Sequence, residues 1–262
     1  MKKGNKDTLK IIEKKFNEAL QIKISRYKRE TKYMPFMDAI LGKENTRLYS
    51  FGISMATWMG QSSNSGYETI AKILAESAGS KVYTQYEIPY TLTKETDSKI
   101  YDFYMSIRSG KMVPKSDQLQ KEIKKFAQSV EGIDNDRIVD VFIIDKDNNH
   151  YFIDITSPKS NMKEASSLKL KLMRWTAIGL SGYKAKKVYA FVAFPYNPNH
   201  PKPYKRFSTD IFDENNDILI KKNFWNKISG FEVYDELIKI INKVGKKNIK
   251  AIKSKIEKLS MQ

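Results

Sequence analysis

The sequence has no cysteine and only two histidines among its 262 residues. The absence of cysteine excludes disulfides, thiolate zinc sites and cysteine nucleophiles. His150 and His200 are far apart in the sequence, which disfavours a histidine-based metal site or a histidine-dependent nuclease. The chain also has no glycine-rich phosphate loop of the Walker or dinucleotide type. Carboxylates and lysines therefore remain as the candidates for chemistry.

Long apolar segments are absent too. No run approaches the roughly 18 apolar residues of a membrane span. The first 16 residues, MKKGNKDTLKIIEKKF, are charged and amphipathic and contain no apolar core of the kind found in signal peptides. We therefore expect a cytoplasmic protein with no membrane partner.

Acidic residues are in the minority. The chain has 47 lysines and arginines against 30 acidic residues, which gives a net charge of +17 and a pI near 9.6. A surplus of this size attracts polyanions, so double-stranded DNA or another nucleic acid is the leading partner, ahead of an anionic membrane surface. The alternative is an ordinary enzyme whose surface is rich in lysine.

Hydrophobic periodicity predicts an α/β fold, with a mixed β-sheet core flanked by helices. A hairpin followed by a helix and another strand is the arrangement that builds a parallel pair. The predicted helices cover 8–29, 66–78, 117–130, 162–180 and 231–259, and the predicted strands cover 81–92, 137–144, 151–156 and 187–198.

The domain organisation is predicted to be simple, because the sequence has no internal repeat and no low-complexity linker. We expect a single domain over residues 1–262. Residues 1–48 form a helical N-terminal addition. Residues 50–198 form the core, with an insertion near 95–136, and residues 199–262 form a C-terminal loop and a basic helical part.

Two aspartates are predicted to face each other across the hairpin. With the turn centred near Asp147, Asp140 lies opposite Asp154, on the face that also carries Thr156. Like charges in this position destabilise a sheet unless something offsets them, and a divalent cation such as Mg²⁺ does so. A solvated pair, or one aspartate paired with a lysine, is the alternative. The residues expected to point the other way, into the core, are Val139, Val141, Ile143, Ile153 and Ile155.

These aspartates, with a lysine just beyond them, resemble the PD-(D/E)xK nuclease superfamily. Residues 50–75 look like the entry helix of restriction endonucleases, where a glutamate follows a glycine–aromatic pair, here Gly66, Tyr67 and Glu68. The stretches FPYNPNHPKPYKRF and FWNKISGFEVYDELIKII look like the C-terminal half of type II restriction endonucleases of the Tde-three type. The resemblance covers about residues 48–257.

The resemblance implies a Mg²⁺-dependent type II restriction endonuclease that cuts duplex DNA at a short palindrome, GGNCC in that family. It also implies a homodimer, because a palindrome is most simply read by a two-fold dimer, and a cognate DNA methyltransferase in the same system. Asp140 and Asp154 would be metal ligands. The backbone carbonyl of Ile155 and the carboxylate of Glu68 would complete the set.

The sequence departs from the superfamily pattern at Thr156, where a lysine is expected. Threonine cannot supply the positive charge that stabilises the phosphate in the transition state. Lys159, just beyond the strand, is the first candidate to replace it. Lys163 and Lys171 on the following helix are alternatives, as is an inactive site.

DNA contacts are expected from the loop after the last predicted strand, because arginine and asparagine can read base edges in the major groove. A proline-rich surface loop is the alternative there. Two other functions also stay open, a non-catalytic DNA-binding protein on a nuclease scaffold and a structure-specific nuclease. The expected contact residues are Asn197, Lys202, Lys205 and Arg206 in the loop, and Lys163 and Arg174 on the helix before it.

Overall fold

The computed structural model describes residues 3–28, 34–60, 66–133, 137–156, 158, 161–205 and 210–258. The helices in this part of the chain are α1 (Lys3–Arg26), α2 (Pro35–Leu41), α3 (Lys43–Gly60), α4 (Gly66–Ser77), α5 (Lys94–Arg108), α6 (Ser116–Lys124), α7 (Met162–Ser181), α8 (Lys222–Ser229) and α9 (Tyr234–Lys258). The strands are β1 (Lys81–Glu87), β2 (Tyr90–Leu92), β3 (Ser129–Glu131), β4 (Ile138–Ile144), β5 (Asn149–Ile155), β6 (Lys187–Phe194) and β7 (Ile218–Ile220).

A five-stranded mixed sheet forms the centre of the fold. Its strand order is β1-β4-β5-β6-β7. The pairs β1–β4 and β4–β5 are antiparallel, whereas β5–β6 and β6–β7 are parallel. Helix α7 connects the parallel strands β5 and β6, as a parallel pair requires. The predicted α/β fold, a restriction-endonuclease-like mixed sheet flanked by helices, is confirmed.

The hairpin of β4 and β5 has the predicted register, with Phe142 opposite Phe152 and Val141 opposite Ile153. All four side chains are fully buried, so both faces of the hairpin are covered. The five hairpin residues expected to enter the core are all buried, which confirms that prediction: Val139, Val141, Ile143, Ile153 and Ile155. The face that carries the aspartates is covered as well, because Phe152 packs against Trp175 of α7.

Helix α7 begins at a capping box. The Asn161 side chain accepts a hydrogen bond from the Glu164 amide, and the Glu164 carboxylate accepts one from the Asn161 amide. Near its end the helix lies very close to β6. A Cβ atom built on Gly179 would lie 2.6 Å from Cγ2 of Val188, so only glycine fits at this point without movement. Both features fix where the polar side chains of α7 are placed.

The insertion differs from its prediction in detail. The strand predicted over 81–92 is interrupted before Pro89, and its second part, β2, pairs with β3 in a separate two-stranded sheet. The helix predicted near 117–130 ends at Lys124, and α5 was not predicted. Strand β7 was also missed, because three apolar residues after a polar turn are too short for periodicity to reveal.

The chain divides into two compact units. Residues 1–73 and 233–262 form the first, and residues 74–232, with the central sheet, form the second. In the first unit α1 packs against α9, with Glu13 and Lys243 2.7 Å apart. The single-domain organisation stays a prediction. None of the helices described is long and apolar enough to cross a membrane.

Other helix predictions in the first unit are confirmed. The predicted apolar stripe of α1 is buried, and the tail predicted to be helical over 231–259 contains α9. The predicted entry helix is two helices, because α3 ends at Gly60 and α4 begins at Gly66. The buried residues of the α1 stripe are Leu9, Ile12, Phe16, Leu20 and Ile24.

Candidate active site at the end of the central hairpin

Asp140 and Asp154 are brought together where β4 begins and β5 ends. The observed register ends at Val141 opposite Ile153, and its next step places Asp140 opposite Asp154. The Ile155 amide donates a hydrogen bond of 2.7 Å to Oδ2 of Asp140, which fixes this carboxylate against β5. The sequence prediction that these aspartates are neighbours is thus consistent with the strand pairing.

Gln85 of β1 is a residue of this site that the sequence did not indicate. Its side-chain amide donates a hydrogen bond of 3.2 Å to Oδ1 of Asp140. The backbone of Gln85 has a φ of 50°, which is uncommon for a residue other than glycine. No periodic pattern marks such a residue, because it lies at an irregularity in an otherwise regular strand.

Burial and the proximity of Asp154 disfavour the charged form of Asp140. The pKa of Asp140 is raised from 3.8 to about 6, first by burial and then by the negative charge of Asp154. Hydrogen bonds from the Ile155 amide and Gln85, and the charge of Lys171, oppose this rise only in part. A carboxyl group whose pKa is raised by burial and by a neighbouring like charge is a candidate functional group.

One lysine contacts the pair directly. Nζ of Lys171 on α7 lies 2.7 Å from Oδ2 of Asp154. The same ammonium lies 4.6 Å from the centre of the Trp175 ring, one helical turn further along. The Lys171 side chain is 21% exposed and that of Asp154 is 12% exposed, so this ion pair is shielded but reachable from solvent.

Thr156 lies one residue beyond the end of β5. Its amide donates a hydrogen bond of 3.1 Å to the Ala193 carbonyl, so its backbone extends the pairing with β6. Lys159, the first candidate to replace the missing lysine, lies outside the described residues. Its predicted role stays a prediction.

Glu68 is in the first turn of α4 and is only 2% exposed. It belongs to the first compact unit, whereas Asp140 and Asp154 belong to the second. Within the residues described there is no group of three or more aspartate, glutamate or histidine side chains placed to hold one ion. The role of Glu68 as a third carboxylate ligand therefore stays a prediction.

The residues predicted to contact DNA are mostly exposed. Lys202 and Lys205 are exposed in the loop after β6, and Lys163 is exposed in the first turn of α7. The Asn197 side chain donates to the Lys202 carbonyl at 2.8 Å and so shapes this loop. Arg206 lies outside the described residues.

Arg174 differs from the other predicted DNA contacts. Its guanidinium donates two hydrogen bonds to the carboxylate of Asp97 on α5, at 2.7 and 3.1 Å. A bidentate pair of this kind holds the guanidinium in one orientation. Contact with DNA by Arg174 stays a prediction, and its ion pair with Asp97 is a structural role that the sequence did not indicate.

Comparison with known proteins places these observations in a family. A profile described as type II restriction endonuclease, HinfI, matches residues 4–245. A type II restriction enzyme, MjaII of Methanocaldococcus jannaschii, is 25% identical over 268 aligned residues. The match covers 93% of this chain and 70% of that enzyme. No solved structure matches the chain.

The family match and the similarity to a type II restriction enzyme identify the class of the protein as a site-specific deoxyribonuclease, and the mixed sheet is consistent with it. Within that class, the chain belongs to the HinfI family of type II restriction endonucleases, whose profile spans nearly its whole length. Family membership supports cleavage of DNA at a specific site rather than binding alone or recognition of DNA structure.

Proposed function

We propose that the enzyme hydrolyses phosphodiester bonds of duplex DNA at the site formed by Asp140 and Asp154, with Mg²⁺ as cofactor. The observation that carries this proposal is the enforced proximity of two shielded carboxylates. Their mutual repulsion contributes to a pKa of about 6 for Asp140, and a divalent cation removes that repulsion. The proposal places the site in the PD-(D/E)xK superfamily.

The donor atoms fit Mg²⁺, which prefers oxygen ligands and commonly takes one or two carboxylates, with water and phosphate oxygens completing its shell. The Ile155 carbonyl is a further proposed ligand. The Ile155 amide points toward Asp140 of β4. In an antiparallel ladder the amide and carbonyl of one residue point the same way, so the Ile155 carbonyl also points toward β4. Bound Mg²⁺ would supply activation of water and stabilisation of charge on the phosphate.

The residues around the carboxylates position them for this task. The Ile155 amide and Gln85 each hold one oxygen of Asp140. Lys171 holds Oδ2 of Asp154. Because all three groups are anchored in the sheet or on α7, the two carboxylates are preorganised before DNA arrives, which lowers the cost of reorganisation during the reaction.

The loop after β6 is proposed to contact DNA beside this site. Strands β5 and β6 are parallel, with Asp154 next to Val192, so the segments that follow them leave the same edge of the sheet. The Tyr204 hydroxyl donates a hydrogen bond of 2.8 Å to the Pro158 carbonyl and ties this loop to the segment after Asp154. The proposed contacts here are Asn197, Lys202, Lys205 and Arg206, with Lys163 and Arg174 on α7.

The remaining features follow from the resemblance to the Tde-three type. We propose that the target is a short palindrome, GGNCC, that a homodimer reads it, and that Glu68 assists at the metal. The host would need a DNA methyltransferase that protects the same sequence, because an unprotected chromosome would be cut. Sequencing of the cleavage products tests the proposed target.

The test is digestion of one plasmid with GGNCC sites and one without, in Mg²⁺, in Ca²⁺ and in EDTA. The wild-type enzyme should yield discrete fragments in Mg²⁺ alone, and sequencing of the fragment ends gives the target. The double variant Asp140→Asn, Asp154→Asn should bind DNA and not cut it. Cleavage by this double variant would place the active site elsewhere, and discrete fragments from the plasmid without GGNCC would refute that target only.

A further inference from the structure

We propose that Lys171, on the helix after the hairpin, is the catalytic cation of the Asp140–Asp154 site. The inference rests on the proposed function, because it assigns a residue to the same reaction. Lys171 would take the role of the superfamily lysine, whose position in this chain is occupied by Thr156. Nζ of Lys171 lies 2.7 Å from Oδ2 of Asp154, a direct ion pair with the second carboxylate of the site.

The Trp175 ring holds the Lys171 ammonium in place. Trp175 follows Lys171 by one helical turn, and its ring centre lies 4.6 Å from the ammonium. The ring is itself fixed, because Trp175 is fully buried and packs against Phe152 of β5. A cation over a fixed aromatic face loses less freedom when it engages a phosphate than a lysine that moves freely in solvent.

The Lys171 ammonium is also accessible from solvent. Its side chain is 21% exposed, so its ammonium can reach a ligand that approaches Asp154 from solvent. Lys169, two residues earlier, has a different setting. Its side chain is 2% exposed and pairs with the buried carboxylate of Asp217 at 2.5 Å, so its charge is already neutralised inside the protein.

The other basic residues of α7 are less suited to the role. Lys163 is exposed in the first turn, beside the capping box rather than on the turn that contacts Asp154. The Arg174 guanidinium is held by Asp97 through two hydrogen bonds. Lys171 is therefore the basic residue of α7 that contacts an aspartate of the site.

In the reaction, a bond forms from a water oxygen to phosphorus as one P–O ester bond breaks. One hydrogen of that water ends on the released hydroxyl, and the other fragment carries a terminal phosphate. Lys171 neither gives nor takes a proton in this step. Its positive charge lies beside the phosphoryl oxygens, where negative charge grows in the transition state, and stabilises that charge.

The test compares Lys171→Gln with Lys171→Arg. Glutamine has a side chain that can still donate a hydrogen bond to Asp154 but lacks the charge, whereas arginine keeps the charge. Single-turnover cleavage of saturating plasmid in Mg²⁺ should fall by about 10²- to 10³-fold in Lys171→Gln, the usual effect of losing one preorganised donor. Lys171→Arg should keep more of the rate than Lys171→Gln.

Two readouts without cleavage separate chemistry from structure. The affinity of Lys171→Gln for DNA in EDTA should stay close to wild type. Its unfolding temperature should fall modestly, because Asp154 loses its ion pair, so cleavage rates are compared per folded molecule. Lys124→Met, an exposed lysine of α6, is the control for loss of one surface charge. A fall in DNA affinity as large as the fall in rate would overturn the proposal, since the charge would then serve binding.

The rival is measured in parallel as Lys159→Gln. Full cleavage by Lys171→Gln, with loss of cleavage in Lys159→Gln, would overturn the assignment and leave the proposed function intact. The proposed function fails separately, if the double variant Asp140→Asn, Asp154→Asn cleaves like wild type. Equal rates in Lys171→Gln and Lys171→Arg would also contradict a role for the charge.

Discussion

Two lysine–aspartate pairs on helix α7, only two residues apart, have opposite settings. Lys169 and Asp217 are 2% and 5% exposed, and Oδ2 of Asp217 also accepts a hydrogen bond of 2.9 Å from the Asp213 amide. The Ser116 hydroxyl donates to the other oxygen of Asp217. This buried pair has its hydrogen bonds satisfied inside the protein, as a structural ion pair requires.

The second pair is partly accessible to solvent. Lys171 and Asp154 are 21% and 12% exposed, and Asp154 faces a second carboxylate, Asp140, with a raised pKa. An ion pair alone therefore does not distinguish a structural role from a functional one. Two neighbouring carboxylates with access to solvent characterise the proposed site, whereas the buried pair has all its partners inside the protein.

The largest effect is expected for Asp140→Asn. The substitution removes one charge of the pair and leaves a side chain of similar size, so the fold should persist. Single-turnover cleavage in Mg²⁺ should fall by at least about 10³-fold, as for loss of an essential group. Cleavage within tenfold of wild type, by a variant with wild-type DNA affinity, would mean that Asp140 is not a metal ligand.

Lys169→Met should mainly change stability. It leaves the Asp217 carboxylate buried without its cation, which typically costs about 3–5 kcal/mol in the free energy of unfolding. Urea unfolding monitored by fluorescence measures this loss, with Lys124→Met as the control. A variant as stable as Lys124→Met would show that the Lys169–Asp217 pair does not support the fold.

The pH dependence of stability should reveal Asp140. Its folded pKa, about 6, lies above the unfolded value near 3.8, so its contribution is fully present below about pH 4 and is lost as pH rises through 6. The loss is on the order of 3 kcal/mol, at 1.36 kcal/mol for each unit of pKa difference. In EDTA, the stability of wild type relative to Asp140→Asn should therefore decrease between pH 4 and pH 7.5.

His150 acts in the opposite direction but cancels in this comparison. Burial lowers its pKa, opposed by the charge of Asp145, so its contribution is lost as pH falls, and both proteins contain it. A stability difference between wild type and Asp140→Asn that does not vary with pH would mean that burial and Asp154 do not raise the pKa of Asp140.

The smallest effect is expected for Arg174→Gln. Its pair with Asp97 is partly exposed, at 23% and 41%, and such pairs contribute about 1 kcal/mol or less. Urea unfolding should show a loss of that size, and a loss as large as that of Lys169→Met would contradict the exposure argument. The DNA affinity of the same variant tests the predicted contact, because a fall in affinity would support it.

The sequence predicted the hairpin well because local alternation and a short polar turn determine its register. Asp140 and Asp154 could be paired by counting from Asp147, and the observed register agrees with that count. Helix α7 was predicted within one residue, since its apolar period is regular. These features depend on residues close in sequence.

The partners that lie far apart in sequence were not predictable in this way. Gln85 meets Asp140 only because β1 pairs with β4, and Asp217 meets Lys169 only because β7 follows β6 in the sheet. Lys171 was one of several candidate lysines until the direction of its side chain was known. The spacing of apolar residues predicts which face of a helix is buried. Which lysine reaches Asp154, Lys169 or Lys171, depends on how α7 packs against the sheet.

The central claim is that Asp154 belongs to the active site and Asp217 to the structural support. The most direct measurement is the single-turnover cleavage rate of Asp154→Asn and Asp217→Asn, corrected for the folded fraction at one temperature. We predict that Asp154→Asn is folded and does not cleave, and that Asp217→Asn is less stable and cleaves at nearly the wild-type rate per folded molecule. Wild-type cleavage by folded Asp154→Asn would contradict it.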